Sequence, residues 1–183
     1  MFKQIGIVFT LAISSTLLAQ SPVSIGVFTP STSRDLLDTN HTFTAAQSRS
    51  FTFLTYVQGD QTLVGDWNGD GRSKLGVYRS GSFYLDFNGN GIWEPGVDKL
   101  YAFVGSSTGD VPVLGDWNHD GKTKIGVYRQ GFWILDLNGN GVWDGPPTDL
   151  FIAFGGAYPA YLPVVGDWNG DGRTKVGCYH AGS

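Results

Sequence analysis

The sequence predicts an all-β fold built as an array of similar units, and three observations carry that prediction. A phrase returns three times: residues 64–79 read VGDWNGDGRSKLGVYR, residues 114–129 read LGDWNHDGKTKIGVYR, and residues 165–180 read VGDWNGDGRTKVGCYH. Its Gly-Asp-Trp steps start at Gly65, Gly115 and Gly166, a period of 50 and then 51 residues. A fixed period of this size marks a unit that buries its apolar face only by stacking on copies of itself. Apolar stretches of four to seven residues also alternate with Gly, Asn and Asp clusters, the pattern of short strands and tight turns. Finally, no stretch after residue 20 carries a 3.6-residue apolar period of helical length.

The best-formed unit justifies the elements in order. Residues 111–117 (VPVLGDW) form a strand leading into an Asp-rich loop, and residues 124–129 (KIGVYR) form the next. Gly131 turns the chain into a third strand, 132–137 (FWILDL), which enters a second loop, NGNGVWDG. After Pro146-Pro147, residues 150–154 (LFIAF) make a fourth. Four short strands per unit of this length match a β-propeller-like blade. The same order is readable over residues 62–104. It recurs in decayed form at the start: 25–28 align with the second strand, 36–40 with the third and its loop, and 51–56 with the fourth. Units therefore fall at about 25–74, 75–124 and 125–175, with a further one beginning at 176–183. About three blades is fewer than the usual four to eight. The array is either partial or completed by oligomerisation.

Residues 1–20 stand apart. Lys3 is their only charge, and residues 5–19 are apolar, too short for a comfortable membrane span and ending in small residues, as in a secretory signal peptide. The expected mature chain, 21–183, is placed in a secreted or cell-surface setting with no membrane insertion. Eleven basic residues then face sixteen acidic ones, a net charge near −5 without any basic run, which excludes nucleic acid as the expected partner. The single Cys178 cannot form an internal disulfide; it replaces Val77 and Val127 of the other units and reads as a small buried strand residue. His41, His119 and His180 are scattered, and no nucleophile-base or phosphate-loop motif occurs, so a non-catalytic protein is expected.

Two loop types carry the candidate chemistry. In the first, Asp66, Asn68 and Asp70 occupy positions 1, 3 and 5, Gly71 occupies position 6, and Arg72 offers its carbonyl at position 7. Asp116, Asn118, Asp120 and Lys122 repeat this set, as do Asp167, Asn169, Asp171 and Arg173. Oxygen donors at this spacing suit a hard cation such as Ca2+. The strands and loops together resemble the FG-GAP and VCBS repeats of integrin-type β-propellers over residues 25–180, and the resemblance implies calcium loops between the first two strands of each blade. One departure stands out: the family places a carboxylate at position 9, where this chain has Lys74, Lys124 and Lys175. Two readings follow for these loops. They hold a divalent ion, or an ammonium replaces the ion between the carboxylates in an Asx-rich turn.

The second loop type keeps the carboxylate. Asp86, Asn88, Asn90, Ile92 (by its carbonyl) and Glu94 form one set, and Asp136, Asn138, Asn140, Val142 and Asp144 form the other. Asp98 and Asp149 lie downstream as further oxygen donors. These loops are predicted to bind Ca2+ as a structural ion, although an Asn-Gly turn without an ion has the same composition. Residues 38–42 lack the Gly and the later carboxylate and are expected to be empty. Trp93 and Trp143 offer faces for sugar stacking, against which stands their recurrence, the mark of packing between units. The expected function is a secreted calcium-binding module for adhesion or ligand binding, with an extracellular protein or glycan as partner. The alternatives are a lectin-like module, a homo-oligomeric subunit of a ring or filament, and an accessory fragment of a larger secreted protein.

Overall fold

The computed structural model describes residues 26–29, 34–37, 49–180 and 182, with side chains from Thr52 onward. The proposed signal peptide and the 38–42 stretch lie outside the described residues. Every regular element described is a β-strand, and among the described residues no helix is long and apolar enough to cross a membrane.

Two complete four-stranded antiparallel meanders form the centre of the chain. The first joins β4 (Gln61–Gly65), β5 (Lys74–Arg79), β6 (Ser82–Leu85) and β7 (Lys99–Tyr101) in sequence order. The second joins β8 (Val111–Gly115), β9 (Lys124–Arg129), β10 (Phe132–Leu135) and β11 (Leu150–Ala153) in the same way. Before them, β1 (Gly26–Thr29), β2 (Arg34–Leu37) and β3 (Arg49–Phe51) make a three-stranded meander. After them, β12 (Tyr161–Gly166) pairs with β13 (Lys175–His180). None of the four sheets closes on itself.

Registers repeat between sheets. Gly76 faces Leu85 and Gly126 faces Leu135, and in the first sheet Gly26 faces Leu37. The β1–β3 sheet therefore corresponds to strands two to four of a unit, and β12–β13 to strands one and two. Two strands are shorter than the sequence predicts. The expected strands over 111–117 and 132–137 end at Gly115 and Leu135. The reason is local: the carboxylates of Asp116 and Asp136 accept backbone N–H groups of their own loops and turn the chain. Likewise the fourth strand expected over 51–56 is Arg49–Phe51.

Side chains from neighbouring sheets share the core. Leu63, Trp67, Tyr78, Phe83, Leu85 and Phe103 of the first complete unit pack with Ile125, Val127 and Ile134 of the second. Val113, Trp117, Tyr128, Trp133 and Leu135 of the second meet Val165, Val176 and Cys178 of the last. Each junction buries several large apolar side chains, each contributing about 1.5–3 kcal/mol relative to exposure. Backbone close to the loops is locked as well. The Thr123 N–H donates to the Asp66 carbonyl (2.8 Å) while the Asp66 N–H donates to Thr123 Oγ1 (3.0 Å). Thr174 and Asp116 repeat this pair at 2.8 and 3.0 Å.

Candidate cation-binding loops

In a meander the loops after strands one and three leave from the same end of the sheet, so each complete unit presents both acidic loops side by side. In the first complete unit the two are joined directly: Asn68 Nδ2 donates to the Phe87 carbonyl at 3.2 Å. The Lys74 stem runs beneath Gly89, and the Lys124 stem beneath Gly139.

The first-type loops are organised around their lysines. Lys74 Nζ donates to Asp66 Oδ1 (3.1 Å), Asn68 Oδ1 (2.7 Å), Asp70 Oδ1 (2.6 Å) and the Arg72 carbonyl (2.9 Å). These are the oxygens of positions 1, 3, 5 and 7. Lys124 Nζ takes the same four places, with Asn118 and Asp120 at 2.5 Å and Asp116 and the Lys122 carbonyl at 3.4 Å. Lys175 Nζ reaches Asp167 (3.0 Å), Asp171 (2.6 Å) and the Arg173 carbonyl (3.0 Å). The second oxygen of each first Asp accepts the N–H of the position-6 glycine, Gly71, Gly121 or Gly172. Lysine holds Asp171 down at about 2, and the Arg173 N–H acts the same way. A divalent ion does not fit beside an ammonium that already engages its ligand oxygens. Of the two readings of these loops, the geometry is that of the ammonium.

The second-type loops have the opposite charge balance. Asp86 is buried, its Oδ1 accepting from Gly89 and Asn90 and its Oδ2 from Gly91. Asp136, also buried, accepts from Gly139 and Gly141. Asn88 and Asn90 turn their amide N–H groups onto Glu94 Oε2 (2.8 and 2.5 Å), as Asn138 and Asn140 do onto Asp144 Oδ2 (3.0 and 2.7 Å). Asp98 is not pointed at the loop centre. It brackets the loop, accepting the N–H groups of Phe87 and Glu94 at 2.9 and 2.8 Å, and Asp149 brackets Leu137 and Asp144 at the same distances. Burial raises the Asp86 carboxyl above its ordinary value, the Asp98 charge adds to this, and the loop N–H groups oppose it. Asp136 is raised for the same reason, with Asp149 as its charged neighbour.

At position 3 each Asn donates its amide to a carboxylate, Asn68 and Asn118 to Asp70 and Asp120, Asn88 and Asn138 to Glu94 and Asp144. Only in the first type does its oxygen also meet a cation, the lysine. Asn88 Oδ1 and Asn90 Oδ1 accept the N–H groups of Asn90 and Ile92. Asn68 Oδ1 and Asp70 Oδ1 likewise accept those of Asp70 and Arg72 while meeting Lys74. Both asparagine oxygens can thus join Asp86, the Ile92 carbonyl and Glu94 as donors. The donor set therefore fits Ca2+, a hard cation that accepts carboxylate, amide and carbonyl oxygens together. Among the described residues no three His, Cys, Asp or Glu side chains come together as a metal cluster, so amide and carbonyl oxygens would have to complete the shell.

The tryptophans are placed by packing. Trp93 meets Phe53 and Tyr84 edge-on at 5.7 and 5.3 Å, and Trp143 meets Phe103 at 6.0 Å. Trp67 and Trp117 are 4 % exposed and donate to the Leu75 and Ile125 carbonyls, whereas Trp168 is 59 % exposed. Of two further sets of residues, the sequence marks one, Arg79 and Arg129, which end the second strand and can pair with a loop Asp. Arg79 grips Asp60 with both Nε and an Nη (2.8 and 2.7 Å), and Arg129 grips Asp110 in the same way (2.7 and 2.9 Å), tying each second strand to the connection that precedes its unit. The signal was available, since Asp60-Arg79 and Asp110-Arg129 share one spacing. The inter-unit threonines gave no local signal at all.

No family model, no curated protein and no solved structure matches this chain.

Proposed function

We propose that the chain is a secreted, non-catalytic interaction module, a propeller-like array similar to FG-GAP and VCBS repeats, in which Ca2+ is structural and belongs to the second-type loops. The observation that carries the calcium reading is the charge balance there. Asp86, Asp98, Asp136 and Asp149 are all buried, yet every ion pair among the described residues goes to other carboxylates. Buried carboxylates with a second carboxylate beside them, as Asp86 has Asp98 and Asp136 has Asp149, gain most from a cation. Secretion would supply it, because extracellular calcium is about millimolar and fills sites of modest charge. Bound ion would then stabilise the fold by mass action, where a lone cysteine cannot.

Adhesion or ligand binding follows from the scaffold, with an extracellular protein or glycan as partner. A second reading, self-assembly, is favoured by one feature: the β12–β13 face leaves Trp168 and Tyr179 each 59 % exposed where equivalent side chains elsewhere are buried. The test of the calcium reading is a thermal melt with millimolar Ca2+ and again with EDTA, alongside light scattering for mass. A melting temperature several degrees lower in EDTA, abolished by Asp86→Asn with Asp136→Asn, is expected. An identical melt in both buffers rejects calcium as a structural ion. Glycan-array binding that survives EDTA would favour the lectin-like alternative.

A further inference from the structure

Two of the three first-type loops contain a four-oxygen cation coordination built from the chain itself, and the third, around Lys175, supplies three of the four oxygens, without Asn169. At positions 1, 3, 5 and 7 the oxygens converge on one Nζ, and in Lys74 all four contacts are 3.1 Å or shorter. We infer that Lys74, Lys124 and Lys175 are the resident cations of these loops, which therefore take no divalent metal and stay closed at any calcium concentration. This departs from what the resemblance to calcium-loop repeats implies, and it stands independently of the second-type loops.

Three arguments support it. An ion accepted by the same oxygens would lie within a few ångströms of the ammonium, so the lysine would have to leave first. For Lys74 and Lys124 leaving is obstructed. Both are 4 % exposed, and their methylene stems fill the space under Gly89 and Gly139, where an added Cβ would sit 3.4 Å from them. Departure would also leave two part-exposed carboxylates in each loop without the cation that bridges them. Charge balance gives the third argument. Two carboxylates in each loop are already offset by the lysine together with Arg72, Lys122 or Arg173 at position 7, so little net attraction for a dication is left. The design has a use: a lysine at position 9 supplies the bridging of an ion without depending on one, and the loops at Asp66 and Asp116 also dock on the next unit through Thr123 and Thr174.

The test counts calcium bound per chain by equilibrium dialysis of the full chain, with melting temperature read in parallel. Asp120→Asn and Asp171→Asn are expected to leave the wild-type count unchanged. Lys124→Glu and Lys175→Glu, which install the position-9 carboxylate found in the second-type loops, are each expected to gain one ion and to recover stability on adding calcium. Lys175 is the safer site, because its side chain is 30 % exposed. Lys124→Met is expected to lower the melting temperature by roughly 5–10 °C, with or without calcium. A wild-type count that falls with Asp120→Asn or Asp171→Asn overturns the inference. So does a folded Lys175→Glu chain that gains no ion. A wild type that binds nothing while Lys175→Glu binds one sinks only the second-type reading, so the two claims fail separately.

Discussion

At position 9, one side chain sets the character of a whole loop. Lys74 and Glu94 follow the same Asp-x-Asn-x-[Asp/Asn]-Gly order, yet one loop is internally neutralised and the other collects buried negative charge. Position 13 or 14, by contrast, decides whether the second-type loop holds its shape. Asp149 is fully buried and accepts two backbone N–H groups, so Asp149→Ala leaves both donors unsatisfied. We expect a loss of about 2–5 kcal/mol, read by urea denaturation, with Asp149→Asn intermediate because its amide offers a single oxygen. Asp60 gives a pH signature. Burial pushes its carboxyl up, but the Arg79 guanidinium and the Val57 N–H more than offset this and leave it below its ordinary value. A depressed carboxyl adds stability above its unfolded value, about 3.9, and loses it as pH falls toward the folded value. The melting-temperature gap between wild type and Asp60→Asn should thus hold steady from about pH 7 to 5 and close below about pH 4. A gap that persists into acid would mean that Asp60 acts by shape rather than charge.

Between elements, the junctions depend on close approach as much as on apolar area. Gly115 ends β8 beneath the Trp117 ring, and a Cβ there would lie 2.5 Å from the indole and 2.6 Å from Thr174 Cγ2 of the next unit. Gly115→Ala is expected to cost roughly 1–3 kcal/mol, because indole and threonine are both held by hydrogen bonds. Gly166 is the equivalent position in the last unit, where the three atoms nearest the added Cβ all belong to the Trp168 ring. That ring is exposed and can move, so Gly166→Ala should cost less than half as much in the same thermal-melt comparison. Equal costs would show that the inter-unit threonine contact contributes nothing. The strands themselves were legible because their composition alternates and Gly and Asp mark their ends. Positions 1, 3, 5 and 7 were legible for the same reason, since their spacing is local. The brackets by Asp98 and Asp149 were half legible: the carboxylates were noted as loop partners, but as oxygens for an ion rather than acceptors for N–H groups. Thr123 was not legible, because its partner Asp66 lies 57 residues away and nothing in a single unit announces it.

Across the described units, the β12–β13 sheet differs from the two central sheets in one respect, the covering of its face. In the middle, Trp67 and Trp117 lie under the threonine and strand residues of the following unit. On the β12–β13 sheet, Trp168, Tyr179, Leu162 and Val164 are exposed together. The free edge is asymmetric as well. Among the described residues β13 pairs with β12 alone, whereas its counterparts β5 and β9 each pair on both sides. Pro163 lies on β12 and Pro112 on the edge strand β8, the places where a missing N–H does least harm, and β13 contains no proline to discourage pairing. A second copy of the chain would supply what the face lacks, a strand for the edge and apolar side chains for the indole. Two β13 edges meeting antiparallel across a two-fold axis would build a four-stranded sheet of the same size as the central two. We therefore expect sedimentation to show mass rising with protein concentration, and Trp168→Ser to shift the association at least tenfold toward monomer while leaving the melting temperature of the monomer nearly unchanged, since the indole is exposed there. The expected tenfold corresponds to about 1.4 kcal/mol, a modest part of what burying one indole face contributes. An assembly that persists in Trp168→Ser would move the contact to another surface, with the stacked and exposed Phe132 and Phe151 pair as the next to be replaced.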